Sequence, residues 1–116
     1  MEKNNKGKRT QKLIRDRVGP DTPGHKDYLA KGLPDYEVDL APQSLITILL
    51  VGKLHEEAEE VREDQTNPEE YADVLQTLMD LAYLNGVSFS EVEYQRKLKL
   101  GKKGGFTGGK VLRREA

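Results

Sequence analysis

The chain contains no cysteine among its 116 residues. Disulfide bonds, thiolate catalysis and cysteine-based zinc sites are therefore excluded. The sequence also lacks a run of about 20 apolar residues, which a helix needs to cross a membrane. The longest apolar stretch, residues 45–54, is broken by Thr47, Gly52 and Lys53. No apolar segment follows the charged N-terminus as it would in a signal peptide. We therefore expect a soluble, cytoplasmic protein.

Apolar residues are scarce, at 35% of the chain against 34% charged residues. This is a low apolar content for a stand-alone globule, although the length fits one domain. Either part of the chain is disordered or a shared interface completes the core, and we expect both. Residues 1–10 are predicted to be a disordered tail, residues 11–112 the domain, and residues 113–116 a second short tail.

The charges are distributed unevenly, although the net charge is only −1. Such a net charge does not favour nucleic acid as a partner. Acidic residues crowd into residues 56–70, whereas basic residues crowd into residues 8–17 and 96–114. An acidic centre with basic flanks suits a metal ion that holds a polyphosphate. Solvated helix faces with basic tails explain the same charges equally well.

The residues after Pro42 predict a long helix over residues 43–64. Proline is favoured at the start of a helix, and the apolar residues that follow repeat close to the 3.6-residue helical period. The apolar stripe consists of Leu45, Ile48, Leu49, Leu54, Ala58 and Val61, widened by Ile46, Leu50 and Val51. A stripe this wide indicates burial on more than one side, as in a helical bundle or a dimer.

Two more helices are predicted downstream. Asn67 is a good N-cap with Pro68 in the first turn, and Asn85–Gly86 is a stop signal, which places the second helix over about residues 68–84. A serine cap opens a third helix over about residues 89–100. The expected fold is an all-α bundle of three to four helices around a helical hairpin, with minor extended segments at residues 36–40 and 110–112. We expect dimerisation to complete it.

Four carboxylates form the most informative pattern. Glu57 and Glu60 are spaced i, i+3 on the first helix, and Glu70 and Asp73 have the same spacing on the second. Residues at this spacing share a helix face, so an antiparallel hairpin can bring both pairs together. Carboxylates that meet repel one another unless a cation neutralises them. Oxygen ligands without histidine or cysteine favour Mg²⁺, Mn²⁺ or Ca²⁺.

An ordinary solvent-exposed acidic face is the competing interpretation of these residues. The helical register weakens it, because Glu57 borders the predicted apolar stripe of the first helix. Asp73 likewise borders the predicted stripe of the second helix, which consists of Tyr71, Val74, Leu75 and Leu78. Acids that border an apolar seam are less common than acids on the opposite side. On these residues alone, a metal site and a solvated face are about equally supported.

Further motifs bracket the acids and carry a family resemblance. The chain has KLIRDR at residues 12–17, an EExxE pattern at residues 56–60, ExxD at residues 70–73 and KLGKKGGF at residues 99–106. In this order, the motifs resemble those of the all-α nucleoside triphosphate pyrophosphohydrolases, the MazG and phosphoribosyl-ATP pyrophosphohydrolase superfamily. The similarity spans about residues 11–112.

The resemblance implies a Mg²⁺-dependent enzyme, with Mn²⁺ as an alternative ion. It implies cleavage of a nucleoside triphosphate into the monophosphate and pyrophosphate by a homodimer or homotetramer. Glu57, Glu60, Glu70 and Asp73 match the family's metal ligands, and Glu56 matches an additional acid that orients or deprotonates water or binds a further metal. The positions that match phosphate-binding residues are Lys12, Arg15, Arg17, Lys99 and Lys103.

Departures from the family pattern leave the substrate open. Lys103 stands where the subgroup prefers arginine, which removes a bidentate phosphate contact. Residues 19–35 are rich in glycine and proline, so a base preference cannot be carried over. The alternatives are a phosphoribosyl-ATP pyrophosphohydrolase, a non-catalytic bundle that binds metal or a partner, and a nucleic-acid-binding module that uses the basic ends.

Overall fold

A computed structural model describes residues 12–18 and 38–114 of the chain. Within these ranges it contains three α-helices, α1 (Gln43–Glu63), α2 (Pro68–Leu84) and α3 (Phe89–Lys103), and no strand. The predicted all-α class is thereby confirmed. Searched over the same ranges, no helix is both long enough and apolar enough to cross a membrane. The tail predicted at residues 1–10 and the loop at residues 19–35 lie outside the described residues.

Helix α1 agrees with the predicted helix to within one residue at its end. It begins after Pro42, whose carbonyl oxygen accepts hydrogen bonds from the amides of Leu45 and Ile46 at 2.9 and 3.0 Å. It ends where the Asp64 amide donates to the carbonyl oxygen of Glu60 at 3.1 Å. Proline suits this place because its missing N–H has no partner in the first turn of a helix.

Helix α2 begins and ends at the predicted signals. The side-chain oxygen of Asn67 accepts a hydrogen bond from the Glu69 amide at 2.9 Å, as an N-cap does. At the other end Gly86 has a φ of 75°, which a residue with a Cβ adopts only at a cost. The amide of Val87 donates to the carbonyl oxygen of Ala82 at 2.8 Å. These features form a Schellman-type stop that satisfies the last carbonyl groups of α2.

A short loop, residues 64–67, folds α1 and α2 into an antiparallel hairpin. The Tyr71 hydroxyl donates to the carbonyl oxygen of Gln65 at 2.8 Å, which fastens the loop to the first turn of α2. At the open end of the hairpin, the Gln43 side chain donates to the carbonyl oxygen of Leu84 at 2.9 Å. The end of α1 therefore lies beside the start of α2, where the acidic residues of both helices are found.

The seam of the hairpin, where α1 packs against α2, buries few residues. It is also rotated around α1 relative to the apolar stripe that the sequence predicts. Leu50 in α1 and Thr77 in α2 are the only buried residues in the described part of the chain. Ile48 is 67% exposed and Ala58 is also exposed, so the prediction that these two line the seam is wrong. The same prediction is wrong for three residues of α2, which are exposed, namely Tyr71, Leu75 and Leu78. The half-buried residues that flank the seam are Leu45, Ile46, Leu49, Leu54, Glu57, Val61, Glu70, Asp73, Val74 and Leu81.

Helix α3 continues further than predicted and packs against α2 over a small area only. Ser88 caps its start by accepting a hydrogen bond from the Glu91 amide at 3.2 Å. The helix passes through Gly101, because a glycine inside a helix costs only about 1 kcal/mol. It stops at Gly104, where φ is 78°. Residues 110–112, expected as a short strand, form none, since no strand among the described residues is available to pair with them.

Replacing Asn67 by alanine removes the cap of the helix that carries Glu70 and Asp73. We expect Asn67→Ala to lower the free energy of unfolding by about 0.5–2 kcal/mol. Urea unfolding followed by circular dichroism measures the change. Glu69→Ala keeps the cap and is the control, with a smaller loss expected. Equal stability of Asn67→Ala and the wild type would show that this hydrogen bond contributes nothing.

Candidate metal site

Three carboxylates meet where α1 ends and α2 begins. Glu57, Glu70 and Asp73 each offer an oxygen atom, and these atoms all lie within 4.8 Å of one another. Glu57 belongs to the last two turns of α1, whereas the other two belong to the first two turns of α2. The short loop between the helices and the i, i+3 spacing on α2 bring these side chains to one side of the hairpin.

The donor set and its spacing fit a hard divalent cation. Two oxygen ligands of one Mg²⁺, each about 2.1 Å from the ion, lie about 3 Å apart when adjacent and about 4 Å apart when opposite. Separations of up to 4.8 Å are slightly wider. Small side-chain rotations close that difference, and Ca²⁺, with ligands at about 2.4 Å, requires less adjustment. An all-carboxylate set favours Mg²⁺, Mn²⁺ or Ca²⁺ over softer metals.

Glu60, predicted as the fourth ligand, stands at the edge of this group. It is exposed and is not among the three residues whose oxygen atoms come together. Three residues along a helix correspond to a rotation of about 300°, so Glu60 sits roughly 60° around α1 from Glu57. Its charge nevertheless acts on Glu70. A change of side-chain rotamer is therefore needed before Glu60 becomes a direct ligand.

Two cations neutralise part of the negative charge. Lys53 Nζ lies 3.1 Å from a Glu57 carboxylate oxygen, one turn earlier on α1, and only 12% of the Glu57 side chain is exposed. Arg15 Nη2 lies 2.6 Å from Asp73 Oδ1, which joins residues 12–18 to α2. Among the described residues, Glu70 has no such ion pair. Counting only partners within residues 12–18 and 38–114, Glu70 is the least compensated carboxylate of the three.

The pKa of Glu70 is raised by its loss of water and by its acidic neighbours. Partial burial raises the pKa of Glu70 above its ordinary value, because a carboxylate that loses water is harder to ionise. The negative charges of Glu60, Asp73, Asp64 and Glu57 raise it further, in that order of importance. Such mutual repulsion is what a bound divalent cation relieves.

Glu56, predicted as the catalytic acid, lies away from the three carboxylates. Its side chain is exposed, and it is one position before Glu57, which corresponds to a rotation of about 100° around the helix. The structure therefore gives Glu56 no contact with the group in the single chain.

Of the predicted phosphate-binding residues, Arg15 alone reaches the carboxylates within the described chain. Lys12 and Arg17 belong to the same segment and are exposed. Lys99 and Lys103 are exposed on α3, which makes no packing contact with α1. Neither lysine contributes to the charge environment that shifts the pKa of Glu70. The basic motif of α3 is thus separate from the acids in one copy of the chain.

Two residues at the site were not predicted from the sequence. Lys53 pairs with Glu57 at i, i+4, and this spacing is a signal that the sequence does contain. Thr77 is buried, and its hydroxyl donates to the carbonyl oxygen of Asp73 at 2.8 Å. Its burial depends on the hairpin packing rather than on a local pattern.

Comparisons of the chain with protein-family models, with curated proteins and with solved structures give no match. The class that the fold and the site define is therefore a small all-α protein with a carboxylate group at the closed end of a helical hairpin.

The raised pKa of Glu70 predicts a gain in stability when its charge is removed. We expect Glu70→Gln to raise the melting temperature of the metal-free protein at pH 7, because the ionised carboxylate is less favourable in the folded state than in the unfolded chain. The advantage should shrink as pH falls through the raised pKa of Glu70 in the folded protein, and it should disappear well below the ordinary glutamate pKa of about 4.3, where Glu70 is protonated in both states.

Thermal unfolding in EDTA at several pH values measures this difference. Glu69→Gln removes a neighbouring exposed charge on α2 and serves as the control. A lower melting temperature for Glu70→Gln than for the wild type at pH 7 would contradict the expected repulsion.

Proposed function

We propose that this protein is a Mg²⁺-dependent nucleotide pyrophosphohydrolase, which converts a nucleoside triphosphate into the monophosphate and pyrophosphate. The observation that carries the proposal is the group formed by Glu57, Glu70 and Asp73, with oxygen atoms from two helices within 4.8 Å of one another. Mg²⁺ typically completes its coordination with water and substrate phosphates when proteins hold it through a few carboxylates. Mn²⁺ has the same ligand preference.

A contact between two of the sequence motifs supports the same proposal. Arg15 belongs to KLIRDR and Asp73 to ExxD, and the two side chains are ion-paired although 58 positions separate them. A solvated acidic face would not require this long-range pairing. The contact places a positive side chain beside the carboxylates, where a polyphosphate would need one.

Each side chain at the site has its own role in the proposed reaction. Glu57, Glu70 and Asp73 would hold the cation, and Glu60 would join them after a rotamer change. The bound cation would neutralise phosphate oxygens and make a water molecule more acidic. Arg15 would offset negative charge on the phosphates and help to orient them. Water would add to phosphorus as the anhydride bond between the α and β phosphates breaks, and pyrophosphate would leave with release of a proton.

The proposal includes a homodimer or a homotetramer. Large apolar side chains outside the hairpin seam are exposed on both helices, namely Ile48, Val51, Tyr71, Leu75 and Leu78. Apolar side chains repeated along one pair of helices suit a self-complementary contact with a second copy. A second copy would also allow Lys99 and Lys103 to approach the carboxylates from a neighbouring chain. The nucleotide substrate makes the cytoplasm the proposed location.

Two alternatives use the same residues. A phosphoribosyl-ATP pyrophosphohydrolase would need the same acids and differ only in its substrate. A non-catalytic bundle would bind a metal or a partner without turnover. A panel of nucleotides that includes phosphoribosyl-ATP, assayed with Mg²⁺ for pyrophosphate and for single phosphate, separates all three.

Asp73→Asn tests the proposed activity directly. We expect this substitution to reduce Mg²⁺-dependent pyrophosphate release at least about 100-fold, because a neutral amide is a much poorer ligand for a hard cation. The helical circular dichroism signal should remain, since Asp73 is only half-buried. Turnover at the wild-type rate would count against the site.

Glu69→Gln is the matched control for the activity assay. Glu69 lies on the first turn of α2 but is exposed and outside the group of three carboxylates. Its substitution should leave turnover within about twofold of the wild type. Comparable losses of turnover in both variants would mean that the overall negative charge of α2, rather than metal coordination by Asp73, determines the rate.

Ile48→Glu tests the proposed dimer. We expect it to shift the protein towards the monomer, because a charge at the centre of an apolar contact must lose its water without a partner. Light scattering coupled to gel filtration measures the mass. Leu40→Glu is the control, since Leu40 is 99% exposed and precedes the helices. An unchanged mass for Ile48→Glu would remove this residue from the interface.

A further inference from the structure

Arg15 is a cation of the protein that already contacts the candidate metal site. Its Nη2 atom lies 2.6 Å from Asp73 Oδ1, a short charge-assisted hydrogen bond. The two side chains remain 59% and 37% exposed, so water and ions can reach the pair. The pair can therefore exchange with another cation without unfolding of the hairpin.

The segment that carries Arg15, residues 12–18, contains a turn and three apolar side chains. A turn forms where the Val18 amide donates to the carbonyl oxygen of Arg15 at 3.0 Å. Leu13, Ile14 and Val18 are half-buried, whereas the charged residues between Ile14 and Val18 are exposed. Among the described residues, the ion pair with Asp73 joins this segment to α2, in addition to the half-buried apolar side chains.

A divalent cation and the guanidinium group need the same carboxylate. A cation held by the three acids must take an oxygen of Asp73, and the positive charge of Arg15 beside it opposes the approach of a second positive charge. Both effects lower the affinity of the site for the cation while Arg15 is paired with Asp73. The Lys53–Glu57 pair differs, because it lies within one helix and its rearrangement would move no other segment.

We propose that Arg15 is a built-in counter-ion that competes with the divalent cation for Asp73, so that cation binding weakens the attachment of residues 12–18 to α2. This inference rests on the proposed metal site. In the metal-free protein Arg15 reduces the repulsion among the acids. In the metal-bound protein the same guanidinium group is freed beside the site, where it can meet the phosphates of an incoming nucleotide.

The size of the competition follows from the exposure of the pair. Exposed ion pairs are weak, and removing one such competitor corresponds to a change in metal affinity of about 1.5- to 5-fold. Because coupling between two binding events is reciprocal, the cation weakens the Arg15–Asp73 contact by the same factor. The effect is modest but measurable.

Metal binding to Arg15 variants tests the proposal without any substrate. We expect Arg15→Gln to bind Mn²⁺ about 1.5- to 5-fold more tightly than the wild type, measured by titration calorimetry at low ionic strength. Arg17→Gln is the matched control, because it removes the same charge from the same segment while the Arg15–Asp73 pair remains. Arg17→Gln should show a clearly smaller change.

Four results would overturn the proposal. Weaker Mn²⁺ binding by Arg15→Gln would make Arg15 a support of the site rather than a competitor. An equal gain in Mn²⁺ affinity for both arginine variants would mean that the loss of one positive charge, rather than of the Arg15–Asp73 pair, explains the effect. If the wild type binds Mn²⁺ and Arg15→Gln matches it, this inference fails and the proposed function stands. If the wild type binds no Mn²⁺ at all, both fail.

Hydrogen exchange provides a second readout on the segment itself. Saturating Mg²⁺ should modestly speed amide exchange in a peptide that covers residues 12–18, because the ion pair that helps to hold the segment is weakened. Asp73→Asn should show fast exchange with or without Mg²⁺. Slower exchange of the wild-type segment on Mg²⁺ addition would mean that the cation tightens the segment, which is the reverse of the proposal.

Discussion

Three carboxylates converge at the closed end of the helical hairpin, and their mutual repulsion limits how the charges around them can be arranged. Glu57, Glu70 and Asp73 approach one another because the loop between α1 and α2 is short and the cap at Asn67 fixes where α2 begins. Like charges this close oppose folding unless cations offset them. The hairpin therefore holds an electrostatic strain that a divalent ion would relieve.

The positive charges around this group are arranged in two different ways. Lys53 is part of α1 and neutralises the least exposed acid, so that burial of Glu57 is tolerated. Arg15 comes from a distant segment and remains exposed beside Asp73. Glu70 is left with a raised pKa between the two pairs. One cation thus supports the fold, whereas the other is placed where it can exchange with a ligand.

The small core of the hairpin limits how much the hairpin contributes to its own stability. Leu50 and Thr77 alone are buried among the described residues, while large apolar side chains on both helices face outward. A hairpin of this kind gains little from its own seam, because apolar burial is the main favourable term in folding. A second copy would add burial to the same helices that hold the acids, so assembly and metal binding would stabilise one another.

The helices, their caps and the i, i+3 pairs of acids could be predicted from neighbouring residues alone, because each depends on side chains within one or two helical turns. The Asn67 cap and the stop at Gly86 are examples. The face of α1 that packs against α2 could not be predicted locally, because the apolar stripe of α1 is wide enough to allow several rotations of the helix. Packing of the two helices leaves Glu57 half-buried and Ala58 exposed. The tertiary structure also separated Glu60 from the other three acids and joined Arg15 to Asp73. No local period encodes a contact across 58 positions, because packing of the whole chain sets it.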